Sequence, residues 1–107
     1  MSADEPVVVL CTAPDEQTAA RLARGLVEAR LAACVNVITG VRSFYRWQGK
    51  VEDDAEVQML IKSRRGRAAE LEAFLSREHP HDVPEILFLP IDDGSAPYLE
   101  WLHKQTI

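Results

Sequence analysis

The chain has little of what usually specialises a small protein. It has two cysteines among 107 residues, Cys11 and Cys34, and they form no CxxC pair. That gives no support to a disulfide framework or a dithiol redox motif. Five glycines form no glycine-rich phosphate loop, and no GxSxG, HExxH or nucleophile with a spaced base is present. The sequence therefore does not read as an enzyme. An excess of basic residues is also missing. The formal net charge is −5, which argues against a nucleic-acid ligand. Arg64, Arg65 and Arg67 form one short basic cluster, expected to be a solvated helix start. No apolar run approaches the ~18 residues of a membrane span. The acidic start, MSADEP, lacks the hydrophobic segment of a signal peptide. The expected location is cytoplasmic, with both cysteines reduced.

What is present reads as one domain over residues 1–107, with residues 1–5 expected to be disordered. Hydrophobic residues make up 47% and charged residues 27%, ordinary globular usage. Val7 to Thr12 is continuously apolar and β-branched, a strand expected to be buried on both faces. Asp15 can cap a helix with an apolar stripe at Ala19, Leu22, Ala23, Leu26 and Val27. Gly25 inside that helix costs about 1 kcal/mol against Ala, so a close packing contact is expected there.

Two long strands follow, Ala33–Trp47 and Val51–Lys62, joined by Gln48-Gly49-Lys50 as a bulged three-residue loop. In that register Val41 faces Val57, Val37 faces Ile61, Ile38 faces Leu60, and Arg42 faces Glu56. A bulge in either strand would shift part of it. Ser63 is placed to cap a second helix over 64–78. After the loop His79-Pro80-His81-Asp82-Val83-Pro84 comes a strand over 85–90. Ser95 and Pro97 then open a final short helix carrying Leu99, Trp101 and Leu102.

The order β-α-β-β-α-β plus a helix is an α+β, ferredoxin-like arrangement with a long β2-β3 hairpin. A monomer suits it poorly. Hairpin strands of about 12–15 residues span roughly 40–50 Å, whereas a compact domain of this length is roughly 34 Å across. Two helices cover one face of a four-stranded sheet, and an apolar edge strand invites pairing with another chain. A homo-oligomer is expected.

The segments VVVLCTAPDE, LAACVNVI, YRWQGKVEDDAEVQMLIKS, HPHDVPEILFLPI and YLEWL, in one register over about residues 7 to 103, resemble the CutA divalent-cation tolerance family. The resemblance implies a ferredoxin-like fold, a homotrimer related in architecture to PII signalling proteins, and a link to tolerance of copper and other divalent metals. It implies metal-site positions at Cys11, Glu78 and His79. Glu78 stands where some members have histidine, and His81 stands where tyrosine is common, adding another donor nearby. Glu56, Lys62 and Glu85 match recurring polar positions of the family and are expected cleft residues. Trp47 is a further cleft candidate, though it and Trp101 read first as packing, Trp47 at a subunit contact. The expected function is divalent-metal binding, copper foremost, in a homotrimer without nucleic acid or membrane. The alternative is a PII-like trimeric sensor or adaptor that takes a small molecule or partner protein at clefts between subunits.

Bland readings stand beside these. A strand thiol such as Cys11 is more often a small buried hydrophobe than a ligand. Cys34 reads as core. His79 and His81 flank a proline and can serve as loop hydrogen-bonding groups. Thiolate with imidazole would suit copper or zinc. Lys62 could meet an anion or be a solvated strand end. An acylphosphatase-like enzyme on this fold would want an anion-cradling loop with arginine after the first strand, where this chain has CTAPDE.

Overall fold

The structure is a computed structural model that describes residues 2–107. Its elements are β1 (Pro6–Ala13), α1 (Glu16–Glu28), β2 (Cys34–Trp47), β3 (Lys50–Arg64), a 3₁₀ turn (Arg65–Arg67), α2 (Ala68–Glu78), β4 (Leu87–Pro90) and α3 (Ala96–Gln105). The sheet order is β2-β3-β1-β4, antiparallel throughout. This is the ferredoxin-like arrangement expected from the sequence.

The core lies between the sheet and the two long helices. Val7, Val9, Cys11 and Ala13 alternate inward along β1, as do Val57, Met59, Ile61 and Ser63 along β3. Leu22 and Leu26 of α1 meet Leu71 and Leu75 of α2 above them. α1 starts where the Asp15 carboxylate accepts from the Thr18 N–H at 2.7 Å, satisfying one of the free donors of the first turn. The same bond holds the Asp15 carboxyl below its ordinary pKa.

Gly25 has the close contact that its helical position called for. A Cβ there would sit 2.6 Å from Cζ of Phe74, closer than packed atoms tolerate. Gly25→Ala is expected to destabilise by about 1–3 kcal/mol through overpacking, despite the helix propensity of Ala. Phe74→Leu in the same chain should recover part of the loss, which denaturant unfolding of the four-member cycle reads directly.

The hairpin register differs from the sequence reading in two steps. The turn has two residues, Gln48 and Gly49, both at positive φ (49° and 80°), as a type I′ turn requires. Trp47 therefore faces Lys50, and Val41 faces Glu56 rather than Val57. A bulge between Ile38 and Val41, with Gly40 at φ 81°, shifts the rest by one more. Val37 faces Met59 and Ile38 faces Gln58. The bulge flips the side-chain faces back, so apolar Val35 and Val37 still lie on the helix side. Arg42 is not paired with Glu56. It holds Asp53 with two bonds, Nε to Oδ1 at 2.8 Å and a terminal nitrogen to Oδ2 at 2.7 Å.

Other helix boundaries are corrected too. Ser63 caps nothing. It lies fully buried in β3 and donates to the Leu31 carbonyl at 2.6 Å. Ser95 occupies the cap position of α3 without a side-chain bond. The arginine cluster is not a solvated face. Arg64 donates through Nε and a terminal nitrogen to the Thr106 carbonyl at 3.1 and 2.9 Å, and the Nε atoms of Arg65 and Arg67 are buried. Within the segment expected to be disordered, the Ala3 and Glu5 carbonyls accept from the N–H groups of Gly66 and Arg65, both at 2.8 Å. The Met1 part of that expectation falls outside the described residues.

On the sheet face away from α1 and α2, α3 covers one end. Leu102 and Thr106 are buried, and Tyr98 lies beside Cys34. The remainder stays open. Leu87 and Leu89 of edge strand β4 are 52% and 45% exposed, and Ile38 is exposed as well. The β1 and β4 strands are thus covered on one face within the chain, not on two. The molecule extends 43 × 25 × 24 Å, its long axis in keeping with a hairpin that outreaches the core.

Candidate functional site

The C-terminal end of β1 is where the chemistry collects. The α2 helix ends at Glu78, and the next residues turn the chain back over that strand end. His79 is 7% exposed. Its Nε2 lies 2.8 Å from the Thr12 carbonyl, and its Nδ1 lies 3.0 Å from the backbone nitrogen of His81. A carbonyl accepts and an N–H donates, so Nε2 carries the proton and Nδ1 offers its lone pair. Both ring nitrogens are thereby committed. Burial holds the His79 pKa below its ordinary value, despite the bond to Thr12, which keeps the ring neutral.

Cys11 points into the core, fully buried, and its thiol approaches the same Thr12 carbonyl at 3.7 Å. Burial first, then the Glu85 and Glu56 carboxylates, pushes its pKa up to about 12. Such a thiol is neither a reactive nucleophile nor a ready ligand. Its thiolate is disfavoured in the fold, while the unfolded chain ionises near 9.0. The stabilisation is complete below pH 9.0 and declines as pH rises toward 12. Wild type should lose more stability than Cys11→Ala between those limits, measured by urea unfolding at several pH values. A native thiol titration at pH 8 should leave Cys11 unlabelled.

The four expected metal residues therefore do not meet as a ligand set. Cys11 and His79 both turn to one carbonyl oxygen as donors. The Glu78 carboxylate is held by Arg21 at 3.3 Å and Arg77 at 3.2 Å. Among the described residues, no group of three or more His, Cys, Asp or Glu side chains is placed to hold a metal ion. His81 differs from the other three. Its side chain is exposed, and its ring, 4.8 Å centroid to centroid from His79, makes no hydrogen bond among the described residues.

Of the expected cleft residues, Glu56 and Glu85 come together. With Thr12, Ser43, Phe44, Tyr45, His81 and Val83 they line a cleft of about 390 Å³. The Gln58 amide fixes its floor, donating to the Cys11 carbonyl at 3.2 Å and to Glu85 Oε2 at 3.4 Å. Trp47 lies in an adjoining hollow. Lys62 is not part of the cleft. It is six residues from Glu56 along β3, roughly 20 Å at strand rise, and it bonds to the Asn36 side chain. Sequence reading missed Tyr45, Thr12 and Gln58. The alternation Glu52, Asp54, Glu56, Gln58 along β3 places all four on the open face and was the available signal.

A ferredoxin-like sheet with an over-long hairpin and a polar cleft at the end of β1 defines the structural class. Its relatives agree. The model of the CutA1 divalent ion tolerance protein family matches residues 7–105. The divalent-cation tolerance protein CutA of Pectobacterium atrosepticum is 52% identical, with 92% of this chain and 90% of that protein covered. A solved structure of the Thermus thermophilus divalent cation tolerance protein superposes with a TM-score of 0.92 at 46% identity, covering 94% of this chain and 98% of that one. The Archaeoglobus fulgidus structure, described as periplasmic, gives 0.92 at 33% identity over 95% and 99%. This chain belongs to the CutA1 divalent ion tolerance family. No helix among its described residues is long and apolar enough to cross a membrane.

Proposed function

We propose that this protein acts in divalent-cation tolerance by binding a divalent metal, copper foremost, as a cytoplasmic homotrimer. The observation that carries the metal site is the unengaged His81 ring lining one cleft with Glu56 and Glu85. Imidazole and carboxylate donors suit divalent transition metals, and two carboxylates would offset the charge of the ion. Three donors spread over one cleft do not close a four-coordinate site. A neighbouring subunit supplies the rest, seated on the open sheet face. His79 then acts as a positioning residue, its Nδ1 fixing the His81 backbone at 3.0 Å. Cys11 packs beneath the site and does not ligate.

Calorimetric titration of copper and zinc into reduced, EDTA-treated protein tests this. Binding should be saturable, weaken about tenfold or more in His81→Ala, and persist in Cys11→Ala. Loss in Cys11→Ala with retention in His81→Ala would overturn the assignment. The alternative, a PII-like sensor or adaptor, predicts thermal stabilisation by nucleotides or small molecules and none by metals.

A further inference from the structure

Two carboxylates share the cleft, and nothing in the chain neutralises either. No lysine or arginine lines it, and among the described residues neither Glu56 nor Glu85 joins an ion pair. Glu56 is carried by β3, where it pairs with Val41 of β2. Glu85 sits in the chain ahead of β4, outside any strand. Its carboxylate has one hydrogen-bond partner among the described residues, the Gln58 amide, 3.4 Å from Oε2. We propose that Gln58 is the positioning residue of this site, holding Glu85 by one oxygen and leaving the other free for a divalent cation; the role rests on the metal reading of the cleft.

The placement of Gln58 suits it to this. Val57, Met59 and Ile61 turn inward along β3, so Gln58 lies on the open face between Glu56 and Leu60. It stands opposite Thr12 of β1, which lines the cleft. Its Nε2 meets the Cys11 carbonyl at 3.2 Å, the Met59 carbonyl at 3.3 Å and Glu85. All three are acceptors, so the amide can be turned only one way, with its nitrogen toward them. One NH₂ group thereby ties β3 to the main chain of β1 and to the segment ahead of β4. Each of these bonds lies within one chain, so they stand whatever surface of a neighbouring subunit covers the face.

A neutral donor fits the task. Lysine or arginine at this position would hold Glu85 more firmly, and would cancel the charge that attracts a cation. An amide orders the carboxylate and leaves its charge intact. A glutamate free to turn about its own torsions loses that freedom on binding a metal, so ordering it in advance raises affinity. If Gln58 merely bridged β1 and β3, its effect on metal binding would not depend on Glu85.

Copper(II) is titrated by calorimetry into EDTA-treated wild type, Gln58→Met, Glu85→Ala and the double variant. Methionine keeps the length of glutamine and carries no N–H. Gln58→Met should weaken copper by about tenfold, and the double variant should bind within about twofold of Glu85→Ala. Gln58→Leu, which removes the same donor with a branched side chain, should show the same loss. In metal-free protein the Gln58 side-chain amide resonances should move in Glu85→Ala, which a bridge between strands alone would leave in place. Wild-type affinity in Gln58→Met, losses that multiply in the double variant, or unmoved amide resonances overturn the role of Gln58 and leave the metal reading standing. Absence of saturable copper binding by wild type overturns the metal reading itself, and this role with it.

Discussion

His79→Ala is expected to lower stability by about 2–4 kcal/mol. Removing the ring strands the Thr12 carbonyl, which keeps a weak thiol contact at 3.7 Å, and strands the His81 N–H. The part-buried Thr12 carbonyl left without its main donor costs about 1–3 kcal/mol, water can meet the N–H of exposed His81, and the lost ring volume adds a cavity term. For a chain of this length a change of this size corresponds to roughly 10 °C or more in Tm, compared at fixed protomer concentration. His79→Gln should recover part of it, since an amide can donate to one partner and accept from the other. If His79 were held for metal binding alone, metal-free His79→Ala would unfold with the wild-type midpoint.

The second large effect is on assembly. Leu87→Lys with Leu89→Lys should break the proposed homotrimer into single chains of 12.0 kDa, as light scattering at micromolar concentration reports. Both leucines lie on the open face of the β4 edge. Burying a leucine at an interface contributes about 1.5–3 kcal/mol, and a trimer repeats each contact three times. Lysine reverses the sign, because a charge on an edge strand blocks pairing. The isolated fold should survive, since neither side chain belongs to the core between sheet and helices. Wild-type protein running at 12.0 kDa would remove the basis for the trimer.

How much of this was legible in the sequence depended on range. Local signals were sound. Asp15 capped α1, and Gly25 marked a contact with Phe74, because both readings rest on chemistry within one helix. The hairpin register failed because the observed pairing sets Val41 against Glu56 and Tyr45 against Glu52, which matching apolar with apolar does not select. The deciding facts were a glutamine at positive φ, Gln48, which pattern reading does not anticipate, and the Gly40 bulge. Ser63 looked like a cap because β3 runs on to Arg64, three residues beyond Ile61, the last apolar residue of the alternation. For the site, the residue types were legible and their roles were not. Cys11, His79 and His81 do converge on the end of β1. Cys11 and His79 turn their donors to the Thr12 carbonyl, while the His81 ring stays unengaged, a partition set by burial and by which nitrogen carries a proton. Glu56 and Glu85 lie close together because β3 and the chain before β4 flank β1, a long-range fact that spacing alone does not carry.

The proposed metal position is on the open cleft and not on the buried thiol. Anomalous diffraction from zinc-soaked crystals of the reduced protein locates the ion directly. A peak is expected about 2.0–2.1 Å from a His81 ring nitrogen, with Glu56 or Glu85 oxygen in its shell and Cys11 unmodified in the core. A peak on the Cys11 sulfur, or on His79 with its bond to Thr12 broken, would contradict it.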